Sequence, residues 1–429
     1  MLGELWQKIK NKLEKEPEEA LKKDLQVKLA LDIGTEFVKA VIVEYNEKEE
    51  RIIGVSRLRQ EYGDMEGGAV ANIEGVTRTA GKAVERAAKM AGVMPEDVMI
   101  GLAGEFVKGI RRTVLQERKN PEKKLDWAEL KKLALKAQKE AMDEAEKQLL
   151  AETGFSKIDV ELVNTAIVEV KIDGYKVSNP LDFQGRNVEM TIFNTFAPLL
   201  HVGALQTIAE SLGLNLIGTM AEPYAVACST ITDEIYEFGA VIIDIGGGTT
   251  DIAVVRNGGV EGTKMFSMGG RAFTKTIAAG MNLDLKKAEE LKIAYSSGKL
   301  FAIEKEKIQK CLHDDLQIWQ DGVALFLEEL AEGKPLPTKI CLCGGGGALP
   351  DHLRILRDEQ IYSGLPFAHL PEVVLLTAKD VVGPSDAENL LQGQQDVTPK
   401  SLAYQVIVNV EKAGLWERIF DKTLQFLNC

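Results

Sequence analysis

Ala240-Val241-Ile242-Ile243-Asp244-Ile245-Gly246-Gly247-Gly248-Thr249-Thr250-Asp251 reads as a buried strand that ends on an aspartate and enters a glycine-rich turn. Residues 251–256 then read as the returning strand. The same plan occurs earlier in the chain. Val27-Lys28-Leu29-Ala30-Leu31-Asp32 runs into Ile33-Gly34-Thr35, and Phe37–Tyr45 returns as an antiparallel partner. A strand, aspartate, glycine, threonine, strand order repeated about half a chain apart is a signal of internal duplication, with a period too long for a solenoid.

The chemistry of the two turns is that of a polyphosphate site. Glycine lets the backbone approach closely and turn its N–H groups inward as an anion nest. The hydroxyls of Thr35, Thr249 and Thr250 add donors. Asp32 and Asp244 cannot themselves bind phosphate. Two acids facing a triphosphate make sense when Mg²⁺ with its water shell sits between them. Alone, Asp32-Ile33-Gly34-Thr35 reads equally well as a plain hairpin turn; the second copy, with Gly246, Gly247 and Gly248, is what favours phosphate binding. A third segment adds to it. Lys339-Ile340-Cys341-Leu342-Cys343 is a buried strand entering Gly344-Gly345-Gly346-Gly347, and a helix starts at Leu349 or Pro350. Such a loop lets a flat ring lie against the backbone beside a helix N-terminus.

Bulk properties set the limits. At 429 residues the chain exceeds one hydrophobic core, so two or more lobes are expected. The net charge of −13 argues against nucleic acid, whose phosphates need a basic footprint. The cysteine count of 5 is odd and no CxxC pair occurs, which argues against zinc and against a disulfide framework. No run approaches the roughly 18–20 apolar residues of a spanning helix. The first residues lack the pattern of a signal peptide, so a cytoplasmic location is expected.

With these motifs in hand, the sequence resembles the actin, heat-shock chaperone and sugar kinase superfamily, and within it the FtsA family of bacterial division proteins, over residues 27–410. The resemblance implies an α/β, two-lobed actin-like (ribonuclease H-like) ATPase fold with an inserted small α/β subdomain. Residues 1–26 are then an N-terminal amphipathic helix and linker. The first lobe takes 27–105 and 187–238, with the inserted subdomain over 106–186. The second lobe takes 239–274 and 336–410, a helical nucleotide-contacting subdomain 275–335, and a C-terminal amphipathic helix 411–429. Within the insertion, 126–151 reads as a charged helix, and 159–163 and 166–172 as strands. Residues 187–196 are expected to resume the main sheet.

The resemblance also assigns roles. Gly34, Thr35, Gly246, Gly247, Gly248, Thr249 and Thr250 match the phosphate motifs, and Gly344, Gly345 and Gly346 the adenosine motif. Ala288-Glu289-Glu290-Leu291-Lys292 matches a segment contacting ribose and base, so Glu289 and Lys292 inherit that role. Lys39 resembles the lysine that reaches the phosphates; otherwise it is an exposed strand lysine. Glu222, in Ala221-Glu222-Pro223, resembles an acid that orients an attacking water, or else is a helix N-terminal acid meeting the dipole. Asp32, Asp244 and Glu222 are thus the expected catalytic set, Asp32 and Asp244 the expected Mg²⁺ ligands through water, and ATP the expected nucleotide, hydrolysed slowly.

The chain ends bear on partners. Leu415, Trp416, Ile419, Phe420, Thr423, Leu424, Phe426 and Leu427 fall on one half of a helical wheel, a pattern suited to a bilayer interface and similar to the terminal helix of the FtsA family. Leu2, Leu5, Trp6, Ile9 and Leu13 share a narrow face flanked by lysines, which favours anionic lipid. Either segment could instead pack on protein. The reading implied is a self-associating protein, peripheral on the inner face of the membrane, that tethers the tubulin-like division protein FtsZ. The alternative is an adaptor ATPase resembling the PilM family of type IV pilus assembly, which binds a peptide of a membrane protein. A metabolic kinase or chaperone lacks support, since no acceptor-site base or substrate domain is recognisable.

Overall fold

The computed structural model describes residues 25–411, apart from 47, 105 and 257. The amphipathic segments at 2–15 and 415–427 lie outside the described residues.

Strands β1 (Gln26–Ile33), β2 (Phe37–Tyr45) and β3 (Glu50–Arg59) form an antiparallel meander. The small hairpin of β4 (Met65–Glu66) and β5 (Ala69–Val70) leads into α1 (Ile73–Ala91). Asn72 caps that helix by accepting from Gly75 N, and Gly92 ends it with φ 71°. Strand β6 (Asp97–Leu102) returns parallel to β1.

The chain then leaves the first sheet. Strand β7 (Lys108–Glu117), helix α2 (Trp127–Thr153), and strands β8 (Val160–Ile172), β9 (Tyr175–Lys176) and β10 (Asn187–Pro198) build a separate sheet of order β7-β10-β8-β9, with α2 packed on it. This corrects one expectation: residues 187–196 do not resume the main sheet. From Asn187↔Glu117 to Phe196↔Lys108 they pair with β7, which satisfies their backbone groups inside the insertion. Apolar alternation is the same in either sheet, so the pattern could not tell them apart. The two strands expected at 159–163 and 166–172 are one, because Asn164 and Thr165 pair directly with Thr195 and Asn194, and the register shifts opposite Thr191/Ile192 and Thr195/Phe196 fall at Val168 and Val163 without ending the strand.

Helix α3 (Leu199–Ser211) and β11 (Asn215–Ala221) lead back, completing the first sheet as β11-β6-β1-β2-β3. Helices α4 (Glu222–Ser229) and α5 (Asp233–Phe238) cross to the second lobe. There β12 (Ala240–Ile245), β13 (Thr250–Arg256) and β14 (Gly259–Phe266) form a second meander, followed by α6 (Gly270–Met281), α7 (Leu285–Ser296) and α8 (Ala302–Ala331). Strand β15 (Lys339–Cys343), helix α9 (Pro350–Leu356) and β16 (Glu372–Leu375) complete a sheet of order β14-β13-β12-β15-β16. Helix α10 (Val397–Glu411) then packs back on β1, β2 and α4.

The period of two along β1 and β12 decides where the site falls. Leu29, Leu31 and Ile33 enter a core with Val76, Ala80, Val84, Leu205 and Ile208 of the outer helices α1 and α3. Ala30, on the other face, joins Leu402, Val406 and Ile407 of α10. In the second lobe Val241, Ile243 and Ile245 face Phe273, Ile277 and Trp319, whereas Ala240 and Ile242 face Val226 and Ala227 of α4. Asp32 shares the parity of Ala30, and Asp244 that of Ile242, so both aspartates project toward the layer between the sheets.

Candidate functional site

A cavity of about 350 Å³ opens between the two sheets, lined by both aspartate turns and the third glycine loop. Asp32, Gly34, Thr35, Lys39, Glu222, Asp244, Gly246, Gly247, Gly248, Thr249, Glu289, Lys292, Gly344, Gly345 and Gly346 all line it. Thr250 does not. It is fully buried, donates its hydroxyl to Met268 O at 2.6 Å and accepts from Trp319 Nε1 at 3.0 Å. Alternation at the start of β13 sends Thr249 into the cavity and Thr250 into the core, so Thr250 supports the turn from behind.

Each turn is held by backbone bonds. Gly34 N donates to Phe37 O at 3.1 Å, and Gly246 N to Thr249 O at 2.9 Å. The first N–H groups of α6 close the second turn: Gly270 N donates to Gly246 O at 2.9 Å and Arg271 N to Gly247 O at 2.7 Å. The Gly269 position admits no side chain, since a Cβ there would lie 2.7 Å from Gly246 O. Gly344 has φ +85°, and a Cβ there would lie 2.1 Å from Asp244 Oδ1. The two turns also touch across the gap, because a Cβ on Gly248 would meet Thr35 Oγ1 at 2.4 Å.

The electrostatics are dominated by carboxylates. Asp32, Glu222, Asp244 and Asp251 are all buried. Lys39 stands opposite Asp32 in the β1–β2 register, with its Nζ 2.8 Å from Asp32 Oδ2. Burial disfavours the ammonium, but Asp32, Asp244 and Glu222 outweigh it and hold Lys39 above its ordinary value. Glu222 begins α4, and Gly101 leaves room for it, since a Cβ on Gly101 would lie 2.7 Å from Glu222 Oε1. Burial pushes Glu222 well above the usual carboxylate range, and Asp32, Asp251 and Asp244 push it further. Asp251 is raised well above its usual range by burial and by Asp244. Asp244 is raised by burial, although the Thr398 hydroxyl, which donates to it, and Lys39 offset part of the effect.

At the opposite end of the cavity Lys292 donates to Gly270 O at 2.6 Å and Thr274 Oγ1 at 2.7 Å, and lies 2.9 Å from Glu289 Oε2. Burial would raise Glu289, but Lys292 and Thr274 bring it below its ordinary value. This pair therefore clasps the start of α6 as well as lining the cavity.

Three participants lie beyond the residues singled out from the sequence. Asp251 closes the second motif and has Oδ1 buried without a hydrogen-bond partner; its place at the end of the glycine turn was the available signal. Thr398, at the start of α10, has no local signal. Arg271 joins the lobes: its Nη2 donates to Thr35 O at 2.7 Å and Glu36 Oε2 at 3.1 Å, and its Nη1 to Met65 O at 3.2 Å.

The donor set fits a magnesium nucleotide. Several buried acids share Lys39, Asp251 has an unpartnered oxygen, and the glycine turns leave space that side chains would fill. No cluster of three or more His, Cys, Asp or Glu suited to a metal occurs among the described residues.

Two duplicated sheets, a shared interlobe cleft and paired aspartate turns define an actin-like ATPase fold. Among solved structures, a chain of the PilM–PilN type IV pilus biogenesis complex superposes with a TM-score of 0.62 at 19% identity, covering 88% of this chain and 97% of that one. Within the actin-like class the sequence is similar to FtsA. A family profile described as "Cell division protein FtsA" matches residues 241–368. The cell division protein FtsA of Streptococcus pneumoniae is 23% identical over 347 residues, 76% of this chain and 72% of that protein. That of Pseudomonas aeruginosa is 25% identical over 270 residues, 62% of this chain and 60% of that protein.

Proposed function

We propose that the protein is an ATP-binding, actin-like component of cell division that self-associates and tethers a filament of the FtsZ type to the cytoplasmic face of the membrane. The observation that carries the reading is the convergence of Asp32, Lys39, Glu222 and Asp244 with three glycine turns on one interlobe cavity. The similarity to FtsA in the matched segment supports the division role.

In this reading the backbone N–H groups around Gly34 and Gly246–Gly248 bind the phosphates, and Lys39 neutralises them. Glu289 and Lys292 flank the ribose and base, and Gly344–Gly346 form the floor beneath the adenosine. Asp32 and Asp244 would hold Mg²⁺ through water, and the ion would supply positive charge beside the phosphates. Glu222 accepts a hydrogen bond from a water and so orients it toward the phosphates. Phosphoryl transfer depends on such positioning, so a single carboxylate suffices for slow turnover. No helix among the described residues is long and apolar enough to cross a membrane. Attachment is assigned to the amphipathic sequence patterns at 2–15 and 415–427.

The test is nucleotide titration and sedimentation of the full chain at millimolar Mg²⁺. Loss of both ATP binding and self-association sinks the proposal.

A pilus-adaptor reading is favoured by one observation, the fold likeness to the PilM chain over 97% of its length. Co-sedimentation with anionic liposomes, with and without residues 415–427, separates the two. Equal sedimentation of both forms supports the adaptor that binds a membrane-protein peptide.

A further inference from the structure

The third glycine loop is gripped from both sides. On its cavity side it presses on the second phosphate turn: a Cβ on Gly346 would lie 2.6 Å from Ile245 Cγ2 and 2.9 Å from Gly246 O. On its far side lies His352, in the first turn of α9 and fully buried. Its Nδ1 is 3.1 Å from Gly346 O. A carbonyl only accepts, so Nδ1 carries the proton and donates. The same carbonyl also accepts from Leu349 N at 3.1 Å, so two donors fix its direction.

The imidazole is itself held in place. Its ring lies 5.0 Å from Phe273 and 4.4 Å from Trp319, centroid to centroid. Trp319 Nε1 donates to Thr250 Oγ1 at 3.0 Å, and Thr250 donates to Met268 O at 2.6 Å. One buried aromatic cluster therefore touches the adenosine loop at Gly346 and the back of the phosphate turn at Thr250. His352 Nε2 has no hydrogen-bond partner. A leucine or phenylalanine would fill this apolar space without burying an unpaired nitrogen, which costs about 1–3 kcal/mol. A purely packing role does not account for histidine here.

We infer that His352 is a positioning residue for the adenosine end of the cleft, its Nδ1–H setting the depth of the Gly344–Gly346 loop on which ribose and base rest. The inference rests on the nucleotide-binding reading above and deepens it. Burial lowers the imidazole pKa to about 4, so the ring stays neutral and in one tautomer at physiological pH. His352 does not line the cavity, and its one hydrogen bond goes to the adenosine loop at Gly346 O, so its removal is expected to weaken ligands that carry the nucleoside more than a bare polyphosphate.

The test compares MgADP with magnesium tripolyphosphate by calorimetric titration of the full chain. His352→Phe keeps the ring packing and removes the donor. It is expected to weaken ADP binding about three- to tenfold, the scale of one hydrogen bond, and to leave tripolyphosphate within about twofold of wild type. His352→Asn, which retains a donor near the Nδ1 position, is expected to recover most of the ADP affinity. His352→Ala, with and without millimolar imidazole, makes the same comparison in a smaller side chain; ADP affinity restored by imidazole supports the role. Equal losses for both ligands, unchanged ADP binding in His352→Phe, or no recovery in His352→Asn and no rescue by imidazole overturns it. Wild-type protein that binds neither ligand refutes the nucleotide reading itself, and this inference with it.

Discussion

Lys39 Nζ lies 2.8 Å from Asp32 Oδ2, directly across the first hairpin, and carries the positive charge beside a group of buried acids. The contact is a consequence of register: Asp32 and Lys39 are paired residues of β1 and β2, on one face.

Removing that cation leaves Asp32 buried and unpaired. Lys39→Ala is therefore expected to destabilise the nucleotide-free protein by about 3 kcal/mol. Urea unfolding with two spectroscopic probes measures it. A midpoint equal to wild type would show that Lys39 is not needed to neutralise these acids.

Glu222, Asp244 and Asp251 have folded-state values raised above the ordinary carboxylate range, first by burial. A raised acid binds its proton more tightly when folded. Its favourable contribution is complete below the unfolded value near 4 and is lost as pH rises through the folded value. Glu222→Gln, which cannot ionise, should stabilise the nucleotide-free protein at neutral pH. That advantage should shrink on acidification toward pH 4. The same variant should lose hydrolysis while retaining nucleotide binding. Chemical denaturation across pH, beside a phosphate-release assay, checks both arms.

Arg271 is one of the contacts between the lobes, reaching Thr35 O, Met65 O and Glu36 from the start of α6. Arg271→Ala should leave each lobe folded while loosening the cleft. Amide exchange should speed up at residues 34–37 and 65–70, and the small-angle scattering radius should rise. Exchange rates at those amides equal to wild type would show that Arg271 does not hold the cleft closed.

Gly344→Ala meets two obstacles, a positive φ of +85° and a Cβ 2.1 Å from Asp244 Oδ1. Backbone strain alone costs about 1–2 kcal/mol. The clash must also displace Asp244 or the loop, so ATP affinity should fall at least about tenfold. Gly345→Ala is the control, because its Cβ would meet nothing closer than Gln395 Cβ at 3.6 Å.

Much of the site was legible because it is built from local signals. Apolar strands end at Asp32 and Asp244, and glycines follow at once, so each turn announces its own chemistry. Cys341 and Cys343 were readable as one buried face of β15, and burial raises both thiols. Thr250 misled because it adjoins Thr249, and a period of two places neighbours on opposite sides. Arg271 and Thr398 act over long sequence separations, Arg271 on Thr35 and Thr398 on Asp244, and nothing local marks them.

The sequence by itself determined the two hairpins, their acidic ends and the glycine turns, since these follow from side-chain parity and from the φ freedom of glycine. Only the tertiary structure decided that both acids face one cavity. That required α4 and α10 to lie between the sheets, so that the inner faces of β1 and β12 look toward each other. It also decided that 187–198 belongs to the inserted sheet. Strand partnership is a contest between long-range hydrogen-bonding surfaces, and no single segment records which surface wins.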